Sequence, residues 1–512
     1  MFSEKDIHYL KEQGVSAASV EQQIDVFNRG IQSVNITRPA VRDDGIEVFD
    51  EDGSLMYAGL FDKHAHSYKK TKFIPASGAA TRMFRDLFEA RNHFQADLQN
   101  INKWIDNNDD IKNFFLSVSK YPFIDDLSGI CRKNGKTPEK MIEDKQYSEL
   151  LGFILDTNGL NYGSLPKGLL KFHKYKDGSR TPFEEHIDEA SGYLVNADHS
   201  LNIHFTVSPE HMKWFRELSK FAGEIYAGKG IFLNVDFSVQ DKSTDTIAVD
   251  LNNKPFRSED GTLLFRPGGH GALLNNLENL QEDIIFISNI DNVATSRHMP
   301  KRVLYKKMLG GFLIEKLHVI RQLLENMKSK YSIAVRKDVL EFVKKYISSE
   351  LFSVLNEMKD HDFVSEAFRI LNRPVRVCGM IKNSGEPGGG PFWVKTHKGY
   401  SFKQIIESAQ IDFTDTEQSR SFSASTHFNP VDIACCIKDF RGSKFKLREF
   451  RDDSMFFISA KSIGGRKLKA LELPGLWNGG MAGWITFFIE VPADTFSPVK
   501  TVFDLMRPEH QE

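Results

Sequence analysis

Apolar positions in this chain follow two periods, one near 3.6 residues and one made of short continuous runs, and their alternation predicts the architecture. Val20, Ile24, Phe27 and Ile31 recur at helical spacing behind Ser16 and Ser19, which offer caps. Residues 43–54 then predict a strand and a turn. A short strand at Phe73 and Ile74 leads into a helix over 82–90, and 97–120 is mostly helical. Residues 200–208 predict a strand, and the helix over 209–218 opens with Ser208 and Pro209. Further strands are expected at 231–237 and 283–288, around a helix at 271–280. Long helical stretches cover 298–328 and 335–359, and a strand follows at 375–381. Strands alternating with helices predict an α/β fold, a largely parallel sheet covered by helices, which binds ligands along its carboxyl edge. The expected division is a helical N-terminal extension over 1–65, a catalytic domain over 66–435 with a helical insertion at 296–360, and an α+β C-terminal part over 436–512.

Composition narrows the classes. The 512 residues suffice for a large core, and a net charge of −2 supplies no general basic field for nucleic acid. Cys131, Cys378, Cys435 and Cys436 form no Cys-x-x-Cys pair, so neither a zinc site nor a disulfide framework is expected. The first residues lack a basic region followed by an apolar run, and no apolar stretch approaches the roughly 20 residues that span a bilayer. These features give the expectation of a cytoplasmic protein with reduced thiols and no membrane partner.

Four segments carry candidate chemistry. Ala76-Ser-Gly-Ala-Ala-Thr-Arg-Met83 is a small-residue loop between strand and helix, where backbone N–H groups, Thr81 and Arg82 can meet phosphate oxygens. Its plain alternative is a strand-to-helix turn with small residues for packing. Lys167 lies between Pro166 and Gly168, in a turn that can fix its charge or merely solvate it. Arg266-Pro-Gly-Gly-His-Gly271 is a glycine loop open to close backbone approach, and the polar run 240–246, with Gln240, follows a strand onto the same edge. The apolar strand at 283–288 delivers Asp291 and Asn292 at its carboxyl end.

Taken in order, these segments resemble the UDP-sugar pyrophosphorylases. The 76–83 loop is similar to Gly-Gly-x-Gly-Thr-Arg-(Leu/Met), Pro166-Lys-Gly-Leu-Leu170 to Pro-Lys-x-Leu, and 266–271 with 289–292 to the Pro-x-Gly-His/Asn-Gly loop and the x-Asp-Asn strand end. Gly388-Gly-Gly-Pro-Phe392, Ile405-Ile-Glu-Ser-Ala-Gln-Ile411 and Thr426-His-Phe-Asn429 resemble later elements of the same superfamily, so the resemblance spans about residues 70–435. The chain also looks like a bacterial family of unknown function within that superfamily.

The resemblance implies a Rossmann-like, mostly parallel mixed sheet of the nucleotide-diphospho-sugar transferase type. It implies a reaction in which a sugar 1-phosphate attacks the α-phosphorus of a nucleoside triphosphate, UTP favoured, and pyrophosphate leaves. Ser77, Gly78, Ala79, Ala80 and Thr81 would cradle the triphosphate, Arg82 would hold the pyrophosphate, and Lys167 would sit on the sugar phosphate or α-phosphate. Gln240, Gly268, Gly269 and His270 would face the nucleotide; Asn292, Glu407 and His427 the sugar. Asp291 would bind Mg²⁺; the second protein ligand is left open, with Asp432 as a candidate outside the resemblance. Ala80 departs from the family glycine, and alanine costs strain there if the backbone needs positive φ. The alternatives are a metal-dependent glycosyltransferase of similar fold and a non-catalytic nucleotide-sugar sensor.

Overall fold

The protein was analysed as a computed structural model, which describes residues 2–31, 33–97, 100–385, 388–396 and 398–512. Glu386 and Pro387, in the glycine loop expected over 384–391, lie outside the described residues. The chain forms two compact units, each assembled from distant segments: residues 1–73, 238–287 and 305–493 in the first, and 74–237, 288–304 and 494–512 in the second. This division does not follow the linear partition expected from the sequence.

In the first unit the main sheet runs, in order, Val41–Arg42, Gly45–Glu47, Ile485–Glu490, Val375–Lys382, Asp432–Cys436, Ile284–Ser288 and Lys70–Pro75, the last contributing residues 70–73 to this unit. Ile485–Glu490 lies parallel to both of its neighbours, and Ile284 opposes Lys70 in a second parallel pair. Asp432–Cys436 runs antiparallel to Val375–Lys382. Parallel strands are covered on both faces, so they read as unbroken apolar runs rather than as alternation. Ile284–Ser288 is buried throughout, and its core neighbours include Phe73, Cys378, Met380, Ile433 and Phe488. The strand at 485–490 belongs to the stretch expected as a separate C-terminal part, yet it sits inside this sheet.

Two smaller sheets complete the unit. Ile36–Pro39, Gly390–Lys395 and Ser401–Ile406 are antiparallel. Phe265–Arg266, Thr246–Val249, Arg466–Glu472 and Phe457–Ile463 form the other, again joining residues before 435 to residues after 436. The N-terminal helices Glu4–Glu12 and Ala17–Arg29 start on Ser3 and Ser16 caps. They bury Leu10, Val20, Ile24 and Phe27 against Ile247, Val249 and Leu471 of that sheet. The turn expected at 51–54 is instead the start of the Glu51–His64 helix, capped by Asp50.

The second unit packs helices between Arg85 and Leu155 around Phe84, Leu87, Phe94, Phe114, Leu127 and Ile154. Val499, Val502 and Leu505 enter the same core, which fixes the residues from 499 onward beside it. The expected strands at 200–208 and 231–237 are Ser200–Thr206 and Phe232–Ser238.

Candidate functional site

Past Pro75 the chain makes the small-residue loop, and backbone bonds pin it at both ends. Ala76 N donates to Thr206 O at 2.8 Å, and Ala80 N donates to Leu165 O at 3.0 Å. Ala79 bridges Pro166, so the loop is tied directly to the turn that carries Lys167. Ala80, Thr81 and Arg82 form a 3-10 turn, with Ala79 at φ −62 before it. Neither Gly78 nor Ala80 has positive φ. Alanine at 80 is therefore unstrained, and its methyl group is buried in the helical core. Gly78, Ala79, Thr81 and Arg82 are exposed, and a Cβ on Gly78 would meet open space. Arg82 forms no ion pair with the described residues. Its guanidinium is free to take an anion.

Lys167 opens a 3-10 turn whose Gly168 is required by packing: a Cβ there would lie 3.0 Å from the Phe215 ring. Its Nζ donates to Asp291 Oδ2 at 2.8 Å and to Val499 O at 2.7 Å. Lys500 Nζ donates to the same Asp291 Oδ2 at 3.0 Å, while Val499 N donates to Asp291 O at 3.0 Å. Burial works to raise the Asp291 pKa, but the two lysines outweigh it and hold the carboxyl below its ordinary value. The group is an ionised carboxylate facing two ammonium groups.

Lys500 was not among the sequence candidates. A capping box between Thr501 and Asp504, with Lys500 N donating to Asp504 Oδ2 at 2.7 Å, marks an ordered turn at that point. No spacing rule could connect that turn to Asp291.

Buried groups behind Asp291 set its backbone. Arg302 donates to Asn292 O at 2.8 Å, to Thr495 O at 2.6 Å and to Glu189 at 3.1 Å. Asn292 Oδ1 accepts from Ser497 N at 2.9 Å and from Arg302 at 3.3 Å. Asn292, expected to face the sugar, is thus a buried tie between the strand end and the 495–498 segment.

The remaining candidates lie in the first unit. Gly269 takes φ +73, a turn that suits glycine. The space left by its neighbours is occupied by the chain itself: a Cβ on Gly268 would lie 2.6 Å from Thr244 O, and one on Gly271 would lie 2.2 Å from Pro474 O. His270 Nδ1 accepts from Leu476 N at 3.1 Å, which leaves the proton on Nε2, and its ring lies 4.5 Å from that of Trp477. Burial pushes its pKa down to about 4, so the imidazole is neutral. His270 and Glu407 line one cavity of about 130 Å³ together with Glu472 and Asn478. Burial raises the Glu407 pKa against a bond from Asn478, and the Glu472 charge adds to the rise. Gln240 Nε2 donates to Asp245 at 3.2 Å.

Two candidates are corrected. His427 is buried, with Nε2 at 3.0 Å from Glu490 and Nδ1 at 2.8 Å from the Thr426 hydroxyl. Both ring nitrogens are spent inside the protein, so His427 has no edge for a sugar. Asp432 is buried in an ion pair with Lys306, which neutralises the candidate metal ligand.

Among the described residues, no group of three His, Cys, Asp or Glu side chains is arranged to hold a metal ion. Asp291 offers one oxygen: Oδ2 carries both lysines, while Oδ1 makes no hydrogen bond to the described residues. Such a site fits a Mg²⁺ ion that brings phosphate oxygens and water with it, because Mg²⁺ commonly takes only one or two carboxylates from protein. No helix among the described residues is long and apolar enough to cross a membrane.

Comparison with known proteins places the chain as follows. No curated protein matches its sequence. It is similar to the uridine diphosphate N-acetylglucosamine pyrophosphorylase of Trypanosoma brucei, crystallised with an inhibitor, at 12% identity and a TM-score of 0.48, over 99% of this chain and 79% of that one. It is also similar to a mutant UDP-glucose pyrophosphorylase of Leishmania major, crystallised with UDP-glucose, at 12% identity and a TM-score of 0.45, over 98% and 77%. The model of one family, described as a domain of unknown function (DUF4301), matches residues 3–511, and the chain belongs to that family.

Proposed function

We propose that this protein is a sugar-1-phosphate nucleotidyltransferase, which forms a nucleotide sugar, UDP-linked by preference, and pyrophosphate from a nucleoside triphosphate and a sugar 1-phosphate. One observation carries the reading: ammonium groups from two separate loops, Lys167 and Lys500, meet on one oxygen of a buried carboxylate at a strand end. Clustered cations of this kind suit a reaction whose catalysis is positioning and charge neutralisation, with no covalent intermediate. The order of motifs from 76 to 429 supports the same reading.

In this reading Asp291 holds the two ammonium groups in place, and Lys167 and Lys500 stabilise charge growing on phosphate oxygens as the sugar phosphate attacks. The exposed backbone of Gly78 and Ala79, with the Thr81 hydroxyl and the Arg82 guanidinium, takes the leaving pyrophosphate. Asp291 would hold a Mg²⁺ ion, which would supply further neutralisation of the triphosphate. The attack needs no general base in this reading, since a sugar 1-phosphate is already an anion near pH 7.

Pyrophosphate release, measured for a panel of sugar 1-phosphates against four nucleoside triphosphates with Mg²⁺, tests the reading. The expected result is release that requires both substrates. Binding of nucleotide without turnover across the panel would leave a sensor, and release of nucleoside diphosphate from a nucleotide sugar would make the protein a glycosyltransferase.

A further inference from the structure

Arg373, just beyond the Asp360–Leu371 helix, is a half-buried cation that forms no ion pair with the described residues. Its Nε donates to Arg369 O at 3.1 Å and its Nη1 to Gly483 O at 3.3 Å; Nη2 makes no bond to the described residues. Burial, and then the like charge of Arg369, pushes its pKa down to about 10, so it stays charged at neutral pH. A partly buried charge without a partner is costly, and the carbonyl end of a helix offsets only part of that cost.

The guanidinium lines a cavity of about 840 Å³ within the first unit. That volume falls in the range of small-molecule sites. Five lysine and arginine side chains line it against three carboxylates, and Glu366, which pairs with two of the five, reduces the surplus to one positive charge. The local pairing is also incomplete: Arg369 and Lys398 share the single carboxylate of Glu366, and Lys395 has no acidic partner among the described residues. A positive surplus with a guanidinium fork in the lining suits a phosphate that accepts two parallel N–H bonds.

The cavity is distinct from the candidate sugar site. Tyr400 lines it before the start of the Ser401–Ile406 strand, and Glu407, past the other end of that strand, lines the smaller cavity. Met455 is the one residue common to the two linings.

We propose that this cavity is a second binding site, for a small phosphorylated metabolite whose phosphate dianion sits on Arg373 with Lys395 and Lys398 at its rim. The site stands independently of the nucleotidyltransferase reading. Calorimetric titration of the full-length protein with inorganic phosphate and with glucose 6-phosphate, with glucose as the uncharged control, tests it. Expected is binding of both phosphates and not of glucose, weakened at least tenfold by Arg373→Gln and several-fold by Lys395→Ala. Lys395 is exposed at a strand end, so its variant keeps the test decisive even where Arg373→Gln fails to fold. Wild-type affinity in both Arg373→Gln and Lys395→Ala, or no phosphate binding in the wild type, would overturn the proposal.

Discussion

Lys500 Nζ lies 3.0 Å from Asp291 Oδ2, the oxygen that Lys167 Nζ approaches at 2.8 Å. Two ammonium groups on one oxygen exceed what a single carboxylate needs for neutrality. The excess positive charge is what an incoming phosphate would meet. Lys500→Ala and Lys167→Ala are each expected to cost about 2–4 kcal/mol of transition-state stabilisation. Steady-state rates with the productive substrate pair check this, and a variant with wild-type turnover removes its lysine from the site.

Asp291→Asn leaves the two lysines facing an uncharged amide. Turnover should fall by orders of magnitude, and chelation of divalent ions should do the same to the wild type. The melting temperature should fall as well, because removing one partner of a largely buried pair costs about 3–5 kcal/mol. Rates measured well below the variant's melting point separate the two effects. Full activity of the chelated wild type would rule out the metal assignment at Asp291.

Arg82 is exposed and free of ion pairs, so Arg82→Ala should leave the melting temperature within about 0.5 kcal/mol of wild type in stability terms. Its expected effect is on catalysis alone, about 2–4 kcal/mol as for other preorganised donors. Equal loss of stability and activity would mean that the side chain serves the fold.

Ala80 keeps negative φ and a buried methyl group. Ala80→Gly should therefore lower stability by about 0.5–1 kcal/mol and not relieve strain. A thermal melt decides, and a stabilised variant would contradict the loop geometry.

His270 is neutral in the folded protein, with a pKa near 4 against about 6.5 in the unfolded chain. Between those values the unfolded state binds the extra proton, so this contribution is complete above pH 6.5 and is lost as pH falls toward 4. The linkage amounts to at most about 3 kcal/mol. Denaturant melts of wild type and His270→Gln at pH 7.5 and pH 4.5 should show the variant losing less stability on acidification. Parallel losses would place the histidine in solvent.

Much of the framework was legible because parallel strands advertise themselves as apolar runs. The run at 283–288 located the central strand, and its end located Asp291. Only Phe73 and Ile74 were visible in the Lys70–Pro75 strand, since Lys70 and Lys72 are buried against the usual habit of lysine. Lys167 was readable from its Pro-Lys-Gly turn. Lys500 was not, because its proximity to Asp291 depends on Val499 and Val502 packing into a core formed hundreds of residues earlier. His427 misled for the opposite reason: a histidine beside an aromatic and an asparagine looks the same in sequence whether its ring meets a ligand or Glu490.

The strand at 485–490 lies between Gly45–Glu47 and Val375–Lys382, and it is parallel to both. A growing chain therefore carries first one and then two unmatched strand edges before that strand is made. One waits from residue 47 and the other from residue 382, and neither closes until residue 490 has left the ribosome. Such edges recruit foreign strands, and sheets closed by late, distant segments assemble slowly. The main sheet of this unit is thus completed only when the 485–490 strand joins it, and chains that lack that strand are the form most exposed to edge-to-edge aggregation.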